Sequence, residues 1–199
     1  MNANPYLLEE FRFASLDKRL QWFNQPGQWH TGAEKLSIVT SAPSDFWQKT
    51  HYNFQEDSGH FLFTELKGDF SIETRVKSVF KHQYDQAGLM VRVSQDCWIK
   101  TSIENELDDY NKLGAVVTNL GYSDWSTQSI AKEVNDIYLR IERKGSDYIL
   151  KWKSNEASQW EQLRMTHLFD QEIVMAGIYC CSPKNPGFEV NFDYLRIES

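Results

Sequence analysis

The sequence predicts an all-β fold of two packed antiparallel sheets, and three observations carry that prediction. Almost everything after Leu36 reads as short alternating runs separated by turn residues. The chain holds 7 Trp, 9 Tyr and 12 Phe, enough rings to fill a wide, flat core between two sheets. No connection is long and periodic enough to supply the crossover helices of a parallel α/β fold.

The elements follow in order. Leu7, Leu8, Phe11, Leu16 and Leu20 are spaced loosely at helical intervals, so a short helix is expected within an N-terminal segment of about residues 1–26. Pro26-Gly27 ends it. Strands are expected over 36–40, 60–66 and 69–80. In the last, Phe70, Ile72, Thr74, Val76 and Ser78 alternate with Ser71, Glu73, Arg75 and Lys77, giving one dry face and one wet face. Further strands are expected over 86–94, 97–104, 113–118, 136–144, 147–153, 160–166, 173–180 and 187–198. Lys144-Gly145-Ser146-Asp147 joins two alternating runs as a hairpin. Ser182-Pro183-Lys184-Asn185-Pro186-Gly187 reads as the last loop. The 199 residues fit one domain and bury a large core without disulfides.

The bulk properties narrow the function. Net charge is −7 and no Lys/Arg cluster occurs, which argues against nucleic acid or an anionic membrane as partner. Residues 1–10 have no basic-then-apolar signal pattern, and no apolar run reaches the about 18 residues of a membrane span. Three cysteines, Cys97, Cys180 and Cys181, are an odd count with two adjacent, unlike a disulfide framework. A cytoplasmic home is therefore expected.

The stretch from Tyr84 to Glu104 is the most informative. In its second half Ile99, Thr101 and Ile103 share one face, and Trp98, Lys100, Ser102 and Glu104 share the other. That second face is either a solvated surface or the floor of a polar groove.

Asp45-Phe46-Trp47, Thr50-x-Tyr52, Asp57-x-Gly59, Tyr84-Asp85-Gln86-Ala87-Gly88-Leu89-Met90-Val91-Arg92, Trp98-Ile99-Lys100-Thr101-x-Ile103-Glu104, Val116-Val117-Thr118, Ser123-Asp124-Trp125 and Ser182-Pro183 follow one another in this order. Together they resemble the DUF1349 family, whose fungal members are called regulation-of-enolase proteins. The resemblance runs from about Leu20 to the C-terminus. It implies a concanavalin A-like, jelly-roll sandwich related to laminin G domains and to the accessory domain of some β-xylosidases. It implies no settled activity. The family pattern has Gly where Ser102 stands, a change between small residues.

Candidate site residues follow from chemistry. Trp98, Lys100 and Glu104 suit a sugar, whose rings stack on Trp and whose hydroxyls take polar bonds; the alternative is an exposed Lys100–Glu104 pair. Asp85 and Gln86 either rim the groove or, for Asp85, tie a local turn. Asp124 and Trp125, read as a loop after 113–118, either flank a ligand or cap the core. Arg140 and Arg164 need carboxylate partners, for which Glu104 and Asp124 are candidates, or else lie on the surface. The acidic run Glu104–Asp109 lacks the Glu-x-Asp-x-Glu pattern of sandwich glycosidases and is expected to leave the sheet, so no catalytic residue is assigned. His30, His51, His60, His82 and His167 lack ligand spacing, so no metal or cofactor is expected. One of Cys180 and Cys181 should be core. The leading expectation is non-catalytic recognition of a carbohydrate or polyol-like small molecule. A regulatory protein acting on a protein partner and a glycoside-active enzyme are the alternatives.

Overall fold

The computed structural model describes residues 6–41, 43–169 and 171–199. Its strands are β1 (Leu7–Glu9), β2 (Gln21–Phe23), β3 (Gln28–Gly32), β4 (Lys35–Val39), β5 (Phe46–Trp47), β6 (Glu56–Asp57), β7 (His60–Lys67), β8 (Phe70–Val79) and β9 (Gln86–Ser94). They continue with β10 (Cys97–Glu104), β11 (Tyr110–Asn119), β12 (Tyr122–Ala131), β13 (Asp136–Lys144), β14 (Asp147–Lys153), β15 (Glu161–His167), β16 (Ile173–Cys181) and β17 (Glu189–Glu198).

Two antiparallel sheets form the expected sandwich. The first runs β15-β14-β13-β8-β17-β4-β3, with β1 also paired to β17. The second runs β12-β11-β10-β9-β16-β7-β2. β17 serves two neighbours along one edge: its first half pairs with β4, its second with β1. A bulge between Phe192 and Leu195 separates the halves.

The period-two pattern explains the core between the sheets. Leu89, Val91, Ile99, Ile103, Leu113 and Ile178 of the second sheet meet Ile72, Val76, Leu139, Ile141 and Phe192 of the first. All are essentially inaccessible to water. Thr101 shares that dry face because its hydroxyl donates to the Gly114 carbonyl at 2.9 Å.

Three expectations are corrected. Residues 6–22 form no helix; β1 and β2 stand there, because Leu7 and Phe11 are drawn into the core beside β17. Tertiary pairing outweighs a loose helical spacing. Residues 122–131, read partly as a loop, are the edge strand β12. Both Cys180 and Cys181 are buried, not one, because the outer face of the second sheet is also covered. Among the described residues no helix is long and apolar enough to cross a membrane.

Candidate ligand pocket

The polar row of β10 lies on the outer face of the second sheet. It is neither a solvated surface nor an open groove. The chain from Pro43 to Gly59 folds over it with the β5–β6 hairpin, where Phe46 pairs with Asp57 and Trp47 with Glu56. A second apolar cluster forms under this cover from Phe46, Trp47, Phe61, Met90, Trp98, Val116, Tyr179 and Cys181. The cover leaves a cavity of about 400 Å³ at one end, within the size range of small-molecule sites.

Its floor is polar. Lys100 is 3% exposed. Its ammonium donates to the Phe46 carbonyl at 2.7 Å and pairs with Asp45 Oδ1 at 3.2 Å. Trp98 and Tyr179 rings lie 5.6 and 5.8 Å from it, so cation–π attraction helps hold a cation that burial would otherwise disfavour. Glu104, two turns of the pleat along, is not its partner. Glu104 Oε2 accepts from Gln86 Nε2 at 2.9 Å, and its Oε1 has no hydrogen-bond partner. Burial pushes its carboxyl up to about 8; Lys100 opposes that rise, and Asp45 and Glu106 add to it.

Its walls are aromatic. Trp47 sits centrally, its indole N–H donating to the Thr50 carbonyl at 2.9 Å. Tyr52 and Trp125 meet it edge-on, with ring centroids at 5.3 and 6.5 Å. Phe54 and Tyr84 complete the lining, with Lys184 stacked on Tyr84 at 5.2 Å. Tyr52, Phe54 and Trp125 are 50%, 41% and 37% exposed, so large apolar surface stands at the mouth. The backbone that presents these rings is strained. Lys49, His51 and Asn53 have φ of 48°, 66° and 56°, and Tyr84 has 69°. Such left-handed conformations in ordinary residues persist only where surroundings impose them.

The nine residues predicted for the site divide. Gln86, Lys100, Glu104 and Trp125 line the cavity. Trp98 faces the right way, but it is fully buried against Phe46, with its indole N–H on the Gln95 carbonyl at 2.9 Å; it is core and offers no stacking surface. Asp85 is fully buried and performs turn chemistry. Its Oδ2 accepts from the Lys81 and His82 amides at 2.9 and 2.8 Å, and its Oδ1 from Ser182 Oγ at 2.5 Å. It thereby sets the turn that presents Tyr84. Asp124 stands opposite Val117, on the core-facing side of β12, and pairs at 3.0 Å with Arg164 of β15. That pair bridges the two edge strands at the surface, with the Asp124 side chain largely in solvent. Arg140 lies on the far face of the first sheet, held by Glu73 and stacked 4.7 Å from Trp160.

Sequence reasoning missed Trp47, Tyr52, Phe54, Tyr84 and Asp45 as site residues, although all but Phe54 stand in the motifs quoted above. The signal was that these motifs, far apart in sequence, converge on one cavity. Among the described residues no group of three or more His, Cys, Asp or Glu is placed to hold a metal ion.

A family model described as protein of unknown function (DUF1349) matches residues 22–199. The chain is 35% identical over 173 residues to a Saccharomyces cerevisiae protein named Regulation of enolase protein 1, covering 86% of this chain and 85% of that one. A crystal structure titled as a functionally unknown protein from Saccharomyces cerevisiae superposes with a TM-score of 0.85 at 31% identity, covering 91% of this chain and 96% of that one. A GH43 protein from Bacillus licheniformis superposes with a TM-score of 0.76 at 15% identity, covering 96% of this chain but 39% of its own. At that identity the likeness shows the fold alone.

Proposed function

The chain belongs to the DUF1349 family, and from its pocket we propose that it is a non-catalytic recognition protein that binds a carbohydrate or polyol-like small molecule. The single observation behind this reading is the pairing of an aromatic wall with a buried polar floor in one cavity. Trp47, Tyr52 and Trp125 offer ring faces and edges for the apolar side of a sugar. Lys100, Gln86 and Glu104 offer directional polar contacts beneath them.

Binding is favoured over glycoside cleavage for an electrostatic reason. Cleavage asks for a protonated acid and an ionised carboxylate flanking one bond. Glu104 resembles the acid. Asp45, a neighbouring carboxylate, already spends its charge on the Lys100 ammonium at 3.2 Å, and the same Oδ1 accepts from the Phe46 amide at 2.8 Å, which weakens it as a nucleophile or base.

A second reading is that the chain acts on a protein partner in the cytoplasm. It is favoured by the name of the yeast relative, Regulation of enolase protein 1, and by the exposed Tyr52, Phe54 and Trp125 at the mouth. The free thiols Cys97, Cys180 and Cys181 suit that compartment.

The test is a binding screen of glycans and sugar metabolites on the wild-type protein, with Trp125→Ala and Tyr52→Ala as paired variants, and with hits checked for turnover. A hit weakened in both variants supports recognition. Turnover of a hit would replace recognition with catalysis. Absence of sugar binding, with direct binding of enolase weakened by the same variants, would move the protein-partner reading to first place.

A further inference from the structure

The hydrogen bonds around Glu104 fix where its proton sits. Gln86 Nε2 lies 3.3 Å from the Tyr84 carbonyl, which can only accept. That contact sets the orientation of the amide. The two amide hydrogens therefore go to the Tyr84 carbonyl and to Glu104 Oε2. Gln86 Oε1 in turn accepts from the Tyr179 hydroxyl at 3.2 Å. Glu104 Oε2 is thus an acceptor, and the carboxyl proton belongs on Oε1, the oxygen without a partner in the protein.

Charge balance around the floor points the same way. Lys100 and Asp45 neutralise each other at 3.2 Å. An ionised Glu104 would leave a net buried negative charge with one oxygen unpaired, the costliest arrangement for a buried group. A neutral Glu104 leaves the floor neutral and carries an O–H donor on a side chain that lines the cavity; Oε1 itself is closed to water, so a ligand reaches it only when that side chain turns. Lys100 has three ammonium hydrogens, of which the Phe46 carbonyl and Asp45 take two. Lys100 and Glu104 both line the cavity, so its floor has donors to spare and no added charge.

We propose that the pocket selects a neutral ligand whose deep end is a carbonyl oxygen, accepting from Glu104 Oε1–H and from Lys100, and that N-acylated sugars are its ligand class. A carbonyl oxygen has two lone pairs and no proton, which matches donors and fits poorly against a carboxylate. The acyl methyl meets the apolar wall of Trp47, Val116 and Trp125. At the floor a ligand carboxylate would restore an unbalanced negative charge and a ligand ammonium would need Glu104 ionised, while Lys184 and Glu56, which also line the cavity, offset each other in charge. The inference rests on the sugar-recognition reading above and specifies it.

The groups that face Glu104 are Lys100 on its own strand, Lys112 on β11, Asp45 from the cover, Glu106 beyond the strand end, and Tyr84, Tyr179 and Cys181 from the flanking elements. The tyrosines and Cys181 are pushed above their ordinary ranges by burial. Among these facing groups, Glu104 is the one whose value, about 8, falls between pH about 6.5 and about 9.5.

The experiment is calorimetric titration with N-acetylglucosamine, glucose, glucosamine and glucuronate, on the wild type, Glu104→Gln and Glu104→Ala. At pH about 6.5, N-acetylglucosamine should bind at least about tenfold more tightly than the other three. Raising the pH to about 9.5 should weaken it about tenfold in the wild type and leave Glu104→Gln unchanged, because an amide N–H donates without titrating. Glu104→Ala should lose the preference for the acetamide. An infrared band of a protonated carboxyl, present in the wild type at pH about 6.5 and absent from Glu104→Gln, reads the proton without any ligand. If glucose binds as well as N-acetylglucosamine, if a charged sugar binds best, or if the wild-type profile is flat, the inference fails while sugar recognition stands. If none of the four binds and the wider glycan screen is also empty, both fail.

Discussion

Arg92 and Asp57 meet in two parallel hydrogen bonds of 2.6 and 2.7 Å, and this pair ties the cover to the sheet beneath it. Arg92 is on β9 in the sheet; Asp57 is on β6 in the hairpin. The guanidinium is 4% exposed at the residue level and lies 4.6 Å from the Phe23 ring and 5.8 Å from Phe46. A planar fork is what such a bidentate, stacked position requires. This contact is a charged tie between the pocket's roof and the sheet beneath it, beside the aromatic packing of Phe46 on Trp98 and Tyr179.

Removing the fork should loosen the roof before it unfolds the sandwich. Arg92→Met is expected to cost about 3 kcal/mol, at the lower end for broken buried pairs because Asp57 can turn to water. Amide exchange at the Phe46–Asp57 pairing should speed up, while β10 and β13 should keep their protection. Hydrogen exchange followed by mass spectrometry checks this. Unchanged protection in the hairpin would show that aromatic packing alone holds the cover.

Glu104 makes stability depend on pH with a sign opposite to most carboxylates. Its folded value, about 8, lies above its ordinary 4.5. Between those values the native state holds a proton that the unfolded chain has released. Stability therefore falls as pH rises from about 4.5 to about 8, and the loss is complete above the folded value. Glu104→Gln removes that slope, so the variant should match the wild type near pH 5 and exceed it by a few kcal/mol above pH about 8. Urea titrations of both proteins across this range test it. A parallel pair of stability curves would mean that Glu104 is ionised in the native state.

His60 supplies the opposite slope at lower pH. It is buried, its Nδ1 sits 2.6 Å from the Asn24 carbonyl, and its Nε2 accepts from the Ser41 amide at 3.0 Å. Those partners assign the neutral ring with the proton on Nδ1. Burial holds its folded value below the ordinary 6.5. A depressed value means the unfolded chain binds the extra proton, so the stabilisation is complete above pH 6.5 and is lost as pH falls below it. His60→Gln should flatten this part of the curve at the cost of lower stability at neutral pH. Proton NMR of the imidazole checks the assignment, since titration near 6.5 would contradict a buried neutral ring.

The fold was legible because its signal is local. Alternation in 69–80, 86–94, 97–104 and 136–144 identifies strands and their dry faces without knowledge of their partners. The cover was not legible, because β5 and β6 contribute two residues each and their stability comes from Arg92, Phe61 and Tyr179, which are far away in sequence. That omission misplaced Trp98. On an uncovered sheet it would be a platform; under Phe46 it is core. Asp124 and Trp125 show a second limit. Once β12 is a strand, neighbours must point to opposite faces, so one site could never have held both. Trp125, opposite Val116, faces the pocket, and Asp124, opposite Val117, turns the other way and pairs with Arg164.

Trp98 and Trp125 should consequently separate stability from binding. Trp98 has no exposed surface and packs under Phe46 within the second apolar cluster. Truncating it leaves a cavity that close-packed neighbours cannot fill, so Trp98→Ala should cost about 3–5 kcal/mol. Any ligand binding it loses should return when the fraction of folded protein is taken into account. Trp125 is 37% exposed on an edge strand, with Trp47 edge-on at 6.5 Å. Trp125→Ala should change stability by no more than about 1 kcal/mol, yet weaken sugar binding about tenfold or more through the lost stacking face. Denaturant titration and calorimetry on the two variants read the two quantities independently. If Trp125→Ala binds as the wild type does, the aromatic wall is structural and recognition must use the polar floor alone. If Trp98→Ala weakens binding at full folding, Trp98 acts on the ligand through the floor, where its ring lies 5.6 Å from the Lys100 ammonium.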